Sequence, residues 1–586
     1  MRREIYALSA FALVGALALS GCSAADSQSG SASSTIALSD INPVDRSKLT
    51  AGGTLRLWIT SMPTTWNSLN VNGNNVDLTS TMGFFILPQN WIYAEDGSYE
   101  PNSNYIESYE VQEATETTGQ VVTLNLNPNA VWGDGTPITA TDYIATWQAL
   151  NGSNSEYLVA STDGFDDIEN VKQGDTEYQV IITFPGSYPD WSAPFSTVAP
   201  AAGVSDPEIF NEGWDEYNND WFAGPYQIAS VDQAQQTVYM ERNPNWWGEE
   251  GLLDGLSFRV LDQAAAGQAF ANGEIDVLTG IVSADQYTQA ATRSDAVIRR
   301  SSGLQWRHFT VNTESGVLAN QAVRQAVQLG INREAITAAD LSGIPDTNPG
   351  ELVKNNHFFA LGQEGYQDNA SEKWNYDPDA AVALLEEAGW TLEEGAEYRT
   401  NDDGETLEFT YAMLPDVSTS RTEGELLQSQ MAEIGIRVNI TNVASDTFFS
   451  DTVLGGNFGI TSFAWQSTTY PLNNIIQLYG CEVLAPSGQN YARLCDTRID
   501  ELEAQIAVES DPKVRNELAN EVDEYLWEDV MVIPLYARED IVAVPSNLAN
   551  YGAFGMSSVP AENVGFVDGD TADTANEDAS KEAPQS

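Results

Sequence analysis

Histidine, cysteine and basic residues are all scarce in this chain. Two histidines, His308 and His357, stand far apart among 586 residues. A serine–histidine–acid triad or a histidine-built metal site would have to use one of them, and each reads as structural or simply exposed. The three cysteines, Cys22, Cys481 and Cys495, show neither zinc spacing nor a CxxC redox pair. No GxSxG elbow, HExxH helix or phosphate-binding loop occurs. The sequence therefore points to no catalytic residue, no metal and no cofactor. Lys and Arg number 25 against 85 Asp and Glu, a formal net charge of −60. Such a surface repels phosphate backbones and anionic headgroups, which disfavours nucleic acid and peripheral membrane partners. It reads first as a solubilising surface.

Long apolar runs are also absent, with one short exception. Arg2 and Arg3 precede an apolar stretch from Ile5 to Leu19, too short for a membrane span and right for a signal-peptide core. The stretch ends in Leu19-Ser20-Gly21-Cys22, which resembles the lipobox of bacterial lipoproteins and implies cleavage before Cys22 and its lipidation. Residues 1–21 are then a lipoprotein signal peptide, and 22–49 a lipidated cysteine with a Ser/Ala-rich tether. Residues 566–586 are acidic and nearly free of large apolar side chains, the composition of a disordered tail.

What is present between these ends is a globular composition, 42% hydrophobic with 15 Trp. Short strands alternate with amphipathic helices. Gly53–Thr60 and Val121–Leu126 alternate as strands. Thr139-Ala140-Thr141-Asp142 has the form of a capping box, predicting a helix through Leu150. Asp377-Pro378 supplies N-cap and N1 for a helix closed by Gly389. Leu426, Leu427, Gln430, Met431 and Ile434 share one helical face, Gly435 stops the helix, and Ile436–Ile440 follows as a strand. Asp511-Pro512 opens a helix reaching Leu526. Helix-then-strand alternation of this kind predicts α/β layers.

Five segments, in order, carry a family resemblance. They are 121–143 (VVTLNLNPNAVWGDGTPITATDY), 224–247 (GPYQIASVDQAQQTVYMERNPNWW), 309–336 (FTVNTESGVLANQAVRQAVQLGINREAI), 376–390 (YDPDAAVALLEEAGW) and 521–536 (EVDEYLWEDVMVIPLY). Together they resemble the solute-binding proteins of bacterial ABC importers, family 5, the oligopeptide- and dipeptide-binding type. The resemblance implies an α/β, two-lobed, periplasmic-binding-protein-like fold of type II with a hinge. Lobe 1 would be residues 50–302 with an inserted subdomain at about 71–189, lobe 2 residues 303–535, and 536–565 a return to lobe 1. Crossovers are expected near Gly303–Phe309 and Pro534–Val544. The implied protein is no enzyme but a monomer held on the extracytoplasmic face of the cell membrane by its lipid alone. Its partners would be permease subunits with a cytoplasmic ATPase, and its ligand a small peptide or another small molecule.

In peptide-binding relatives a tryptophan is followed closely by an aspartate that pairs with the peptide's α-ammonium group. The tryptophan corresponds to Trp465, but Gln466, Thr468, Thr469 and Tyr470 follow, and no acid occurs between Asp451 and Glu482. A ligand without a free amine is expected. Trp66, Asn67, Asn490 and Tyr491 are the other candidate lining residues, suited to stacking and to neutral hydrogen bonds. Cys481 and Cys495 are expected to form a disulfide outside the membrane. The missing aspartate also suits the same fold holding a sugar-like or glycolipid ligand of the mannosylated phosphatidylinositol type, with a role in envelope assembly. A secreted hydrolase is the remote alternative.

Overall fold

The computed structural model describes residues 36–567, apart from Glu116, Asp446 and Asn474. The lipobox with Cys22 lies outside these residues, as does the tail expected over 566–586 except for Phe566 and Val567, which end the strand Gly565–Val567. Among the described residues, three sheets of four or five strands organise the chain. In the first, Thr54–Ile59 pairs in parallel with Gly255–Val260, and Thr237–Arg242 and Tyr226–Asp232 continue it antiparallel. The second has five strands in the order Arg437–Asn442, Glu408–Met413, Ile460–Gln466, Ala296–Val311 and Val532–Pro545. The third is antiparallel and joins Ile106–Gln112, Val121–Leu126, Gln179–Thr183 and Asn170–Gln173. Each sheet has its own apolar core, centred on Phe85 and Phe258, on Tyr411 and Trp527, and on Tyr143 and Phe195 respectively. Several cores in one chain agree with a molecule too long for a single one.

Local signals account for the element ends. Thr139 and Asp142 exchange the two hydrogen bonds of a capping box at the start of Ala140–Leu150. Asp377 accepts from the Ala380 amide, Pro378 is the first helical residue, and Gly389 takes φ +87° after the helix Pro378–Glu387. That left-handed conformation favours glycine. Among the described residues no helix is long and apolar enough to cross a membrane.

Two long strands, Ala296–Val311 and Val532–Pro545, run antiparallel between the bodies of the molecule. Ala296–Ser302 pairs regularly, but the register slips between Ser302 and Trp306 and again between Arg307 and His308. A Cβ on Gly303 would stand 2.1 Å from the Arg538 carbonyl oxygen, so the close backbone approach at the slip needs glycine. Beyond it, Gln305–Val311 pairs with Ile460–Gln466 and enters the second sheet.

Candidate functional site

Strand alternation builds the wall of the site. Period two puts Phe463 and Trp465 on one face of Ile460–Gln466, and the register brings Trp306 opposite Trp465 and His308 opposite Phe463. The result is an aromatic layer. His308 and Phe463 rings meet edge-on at 4.4 Å, while His308 and Tyr491 lie parallel to the Trp465 indole at 5.8 and 5.9 Å. Burial holds the His308 imidazole neutral, well below its ordinary value, aided by the neighbouring Arg307 charge.

Above this layer lies a cavity of about 280 Å³, lined by Trp306, Phe358, Trp465, Gln466, Thr468 and Tyr470 among others. Among the described residues, no Asp, Glu, Lys or Arg lines it. The one titratable ring besides the tyrosine is His357, whose nitrogens are spent on the Asp523 carboxylate at 2.7 Å and the Val532 carbonyl at 3.0 Å. Lys354 sits buried beneath the wall, its ammonium 5.2 Å from the Trp306 ring centre and bonded to the Phe359 carbonyl. Burial pushes that ammonium down to about 7, against the pull of Asp523.

A second cavity, of about 630 Å³, is built from residues 68–93, 196–197 and 551–558. Tyr93 lines this cavity and Tyr470 the smaller one, and their hydroxyls meet at 3.2 Å. The Tyr470 hydroxyl also lies 2.9 Å from Ser192 Oγ. Further bonds tie the same regions together: Tyr188 to Asn473 at 3.4 Å, Gln477 to Asp163 at 3.1 Å, and a two-pronged pair between Arg515 and Asp190. The Arg515–Asp190 pair joins the helix Pro512–Asp529 to the body carrying the third sheet.

The expected residues separate into two groups. Trp465, Gln466, Thr468 and Tyr470 do come together on one cavity, and Thr469 accompanies them on the same turn. Tyr491 touches the Trp465 ring and lines a small void behind it. Trp66 is a correction: it is 3% exposed, packed edge-on against Tyr217 in the first core, and lines neither cavity. Asn67 is another, because its amide donates to the Phe210 carbonyl and its oxygen accepts from the Leu69 amide. Asn490 is a third. Its amide nitrogen serves the carbonyls of Tyr479, Gly480 and Leu494, and its oxygen accepts from the Arg493 amide. All three brace loops from inside. The large cavity had no signal in the sequence beyond the Ser/Thr-rich run 79–81, which is common in loops.

Cys481 and Cys495 are joined in a disulfide, as expected, with Cα atoms 4.5 Å apart. Among the described residues no cluster of His, Cys, Asp or Glu could hold a metal ion.

Known proteins agree with this architecture. Residues 100–483 match the bacterial extracellular solute-binding proteins, family 5, middle region. The oligopeptide-binding protein OppA of Mycobacterium tuberculosis (strain ATCC 25618 / H37Rv) is 35% identical over 565 residues, covering 95% of this chain and 93% of its own length. Among solved structures, the periplasmic EDTA-binding protein EppA is similar at a TM-score of 0.79 and 24% identity, covering 92% of this chain and 100% of its own. The oligopeptide-binding protein AppA from Bacillus subtilis, in complex with a nonapeptide, reaches a TM-score of 0.69 at 19% identity, over 89% of this chain and 100% of its own. At such identities the two structures speak for the two-lobed fold alone. The extent of the sequence match settles the family, and the chain belongs to the bacterial extracellular solute-binding proteins of family 5.

Proposed function

We propose that this protein captures a peptide between two lobes and delivers it to the permease of an ABC importer. It does so as a monomer tethered outside the membrane through a lipid on Cys22. Lobe 1 comprises residues 50–302 and 536–565, with the subdomain at about 71–189, and lobe 2 comprises 303–535. The register slip at Ser302–Trp306 supports a hinge there, since a break in pairing concentrates bending. The OppA relative supports the ligand class by its name.

One observation carries the reading of the site: among the described residues, none that lines the cavity at Trp465–Tyr470 bears a carboxylate. An ammonium group buried there would lack a partner, at a cost of several kcal/mol. The peptide is therefore bound through neutral groups, and recognition does not require a free α-amine. Calorimetry with one octapeptide in free and N-acetylated forms tests this. Affinities within about threefold are expected. A hundredfold preference for the free amine would show that another acid has taken the anchoring role. Trp465→Ala opens the cavity wall and should weaken binding by roughly 2 kcal/mol, about thirtyfold.

A further inference from the structure

The 630 Å³ cavity has no part in the site so far assigned, yet it is the roomier of the two and meets the smaller one where Tyr93 touches Tyr470. Pockets that enclose small ligands run from about 300 to 1,000 Å³. The Trp465 cavity, at about 280 Å³, falls just short of that range, and the larger one lies well inside it.

Its lining is chemically distinctive. In a chain with 85 acidic residues, no Asp, Glu, Lys, Arg or His among the described residues lines this space. The acid nearest in sequence, Asp77, is spent on the turn before it, accepting from the Thr60 amide at 2.8 Å and the Thr60 hydroxyl at 2.6 Å. The lining carries the hydroxyls of Ser68, Ser80, Thr81, Ser196 and Thr197. That of Thr197 is buried without a hydrogen-bond partner among the described residues, so its polar capacity is unmet. Phe84, Trp91, Tyr551 and Phe554 supply aromatic surface beside these hydroxyls. The segment that presents Thr79, Ser80 and Thr81 is a wide π-type turn, Asp77–Met82, and such turns recur at functional sites. A second one, Phe448–Val453, stands beside the aromatic layer of the small cavity, where Phe449 meets Phe463 at 5.4 Å.

We propose that the large cavity is a second ligand compartment, which receives an uncharged segment of the peptide on the far side of the Tyr93–Tyr470 contact. This rests on the peptide reading given above and adds to it a minimum length and a composition. Hydroxyls and aromatic faces bind amide, hydroxyl and aromatic groups. An ionised side chain would enter a lining with no counter-charge and lose its hydration. Extended chain advances about 3.3 Å per residue. A dipeptide of about 7 Å fits within the Trp465 compartment, and an octapeptide of about 26 Å enters both.

The test uses soluble Cys22→Ser protein carrying Ser80→Cys, with Ser196→Cys as an independent second site. Cys481 and Cys495 are in a disulfide, so the introduced thiol is the one that reacts with a maleimide. The probes are an N-acetylated octapeptide amide of Ala, Ser, Gln and Phe, and an N-acetylated dipeptide amide cut from it. At saturation the octapeptide should slow labelling at least tenfold, whereas the dipeptide should leave the rate within about twofold. Scanning one Lys or one Asp along the octapeptide should reveal a contiguous run of positions that each lose at least tenfold in affinity. The proposal is overturned if the octapeptide binds in a Trp465-dependent way and leaves labelling unchanged. Equal protection by the dipeptide, which would signal lobe closure alone, overturns it too, as does tolerance of charge at every position. Failure of wild-type protein to bind either peptide would instead bring down the peptide reading, and this inference with it.

Discussion

Arg307 and Glu423 face each other across the second core with both side chains buried, joined by bonds of 2.8 and 2.5 Å. Ser462 donates to the same carboxylate at 2.5 Å and lies 2.7 Å from the Tyr411 hydroxyl. Taking two charges out of water is costly, and the network offsets that cost only while both remain. Glu423→Ala leaves a guanidinium unpaired and should lower unfolding free energy by about 3–5 kcal/mol in urea titrations. Replacing both, Arg307→Met with Glu423→Leu, should cost less than that single change. A double variant worse than Glu423→Ala would refute this account. None of the network was legible in the sequence, because its members lie 116 and 39 residues apart and join only where the helix Ser418–Glu433 packs on the second sheet. The same limit explains Trp66, Asn67 and Asn490. Aromatic and amide residues near a cleft suit ligand contact, but they also suit bracing a loop, and only the partners of each atom distinguish the two. Trp465 to Tyr470 were legible because the departure from the family's pattern is local, a missing acid on one short turn.

Elements were more readable than residues, since caps act over three or four positions. The capping box at Thr139, the Asp–Pro starts at 377 and 511 and the stop at Gly435, φ +80°, all stand where the sequence put them. The second crossover strand, expected over Pro534–Val544, spans Val532–Pro545, whereas the first, expected over Gly303–Phe309, begins at Ala296. It starts earlier because it belongs to two differently packed regions, and the pattern changes midway. The loop between Cys481 and Cys495 is a further element defined by sequence spacing. Its closing bond spans 14 positions, for which chain entropy gives about 3 kcal/mol. Reduction should therefore lower the thermal midpoint by several degrees and weaken ligand binding, because Tyr491 is held against Trp465 from within this loop. Scanning calorimetry with and without reductant checks the first effect. An unchanged midpoint after verified reduction would mean that the loop is already ordered by Asn490 and Arg493.

At the scale of the whole molecule the excess of acid has a consequence for stability. Most carboxylates are exposed, but Glu503 is buried, and neither of its oxygens has a hydrogen-bond partner among the described residues. Burial pushes its carboxyl up to about 8 from an ordinary 4.5. Burial likewise raises Asp340, beside Glu423, and Asp529, beside Asp496. Between the ordinary and the raised value the folded chain holds a proton that the unfolded chain has released, so stability falls as pH rises through that window. His308 acts in the opposite sense below 6.5: buried neutral, it binds fewer protons folded than unfolded, and stability there rises with pH. Lys354, lowered to about 7, favours folding with rising pH only above that value. The raised carboxyls are joined by Asp540, which burial raises to about 6, and by Asp142 and Glu562, which burial also raises. From pH 5 to 7 these carboxyls oppose one imidazole, and growing self-repulsion at a net charge near −60 adds to the carboxyls. The thermal midpoint should therefore fall between pH 5 and 7. Part of the fall should survive in 1 M salt, where screening within about 3 Å removes surface repulsion but not the burial of protons. Glu503→Gln keeps the shape and removes the titration, so its midpoint should fall less over the same interval. If wild type and Glu503→Gln decline in parallel, the buried carboxyl is not what couples stability to pH, and surface repulsion alone accounts for the fall.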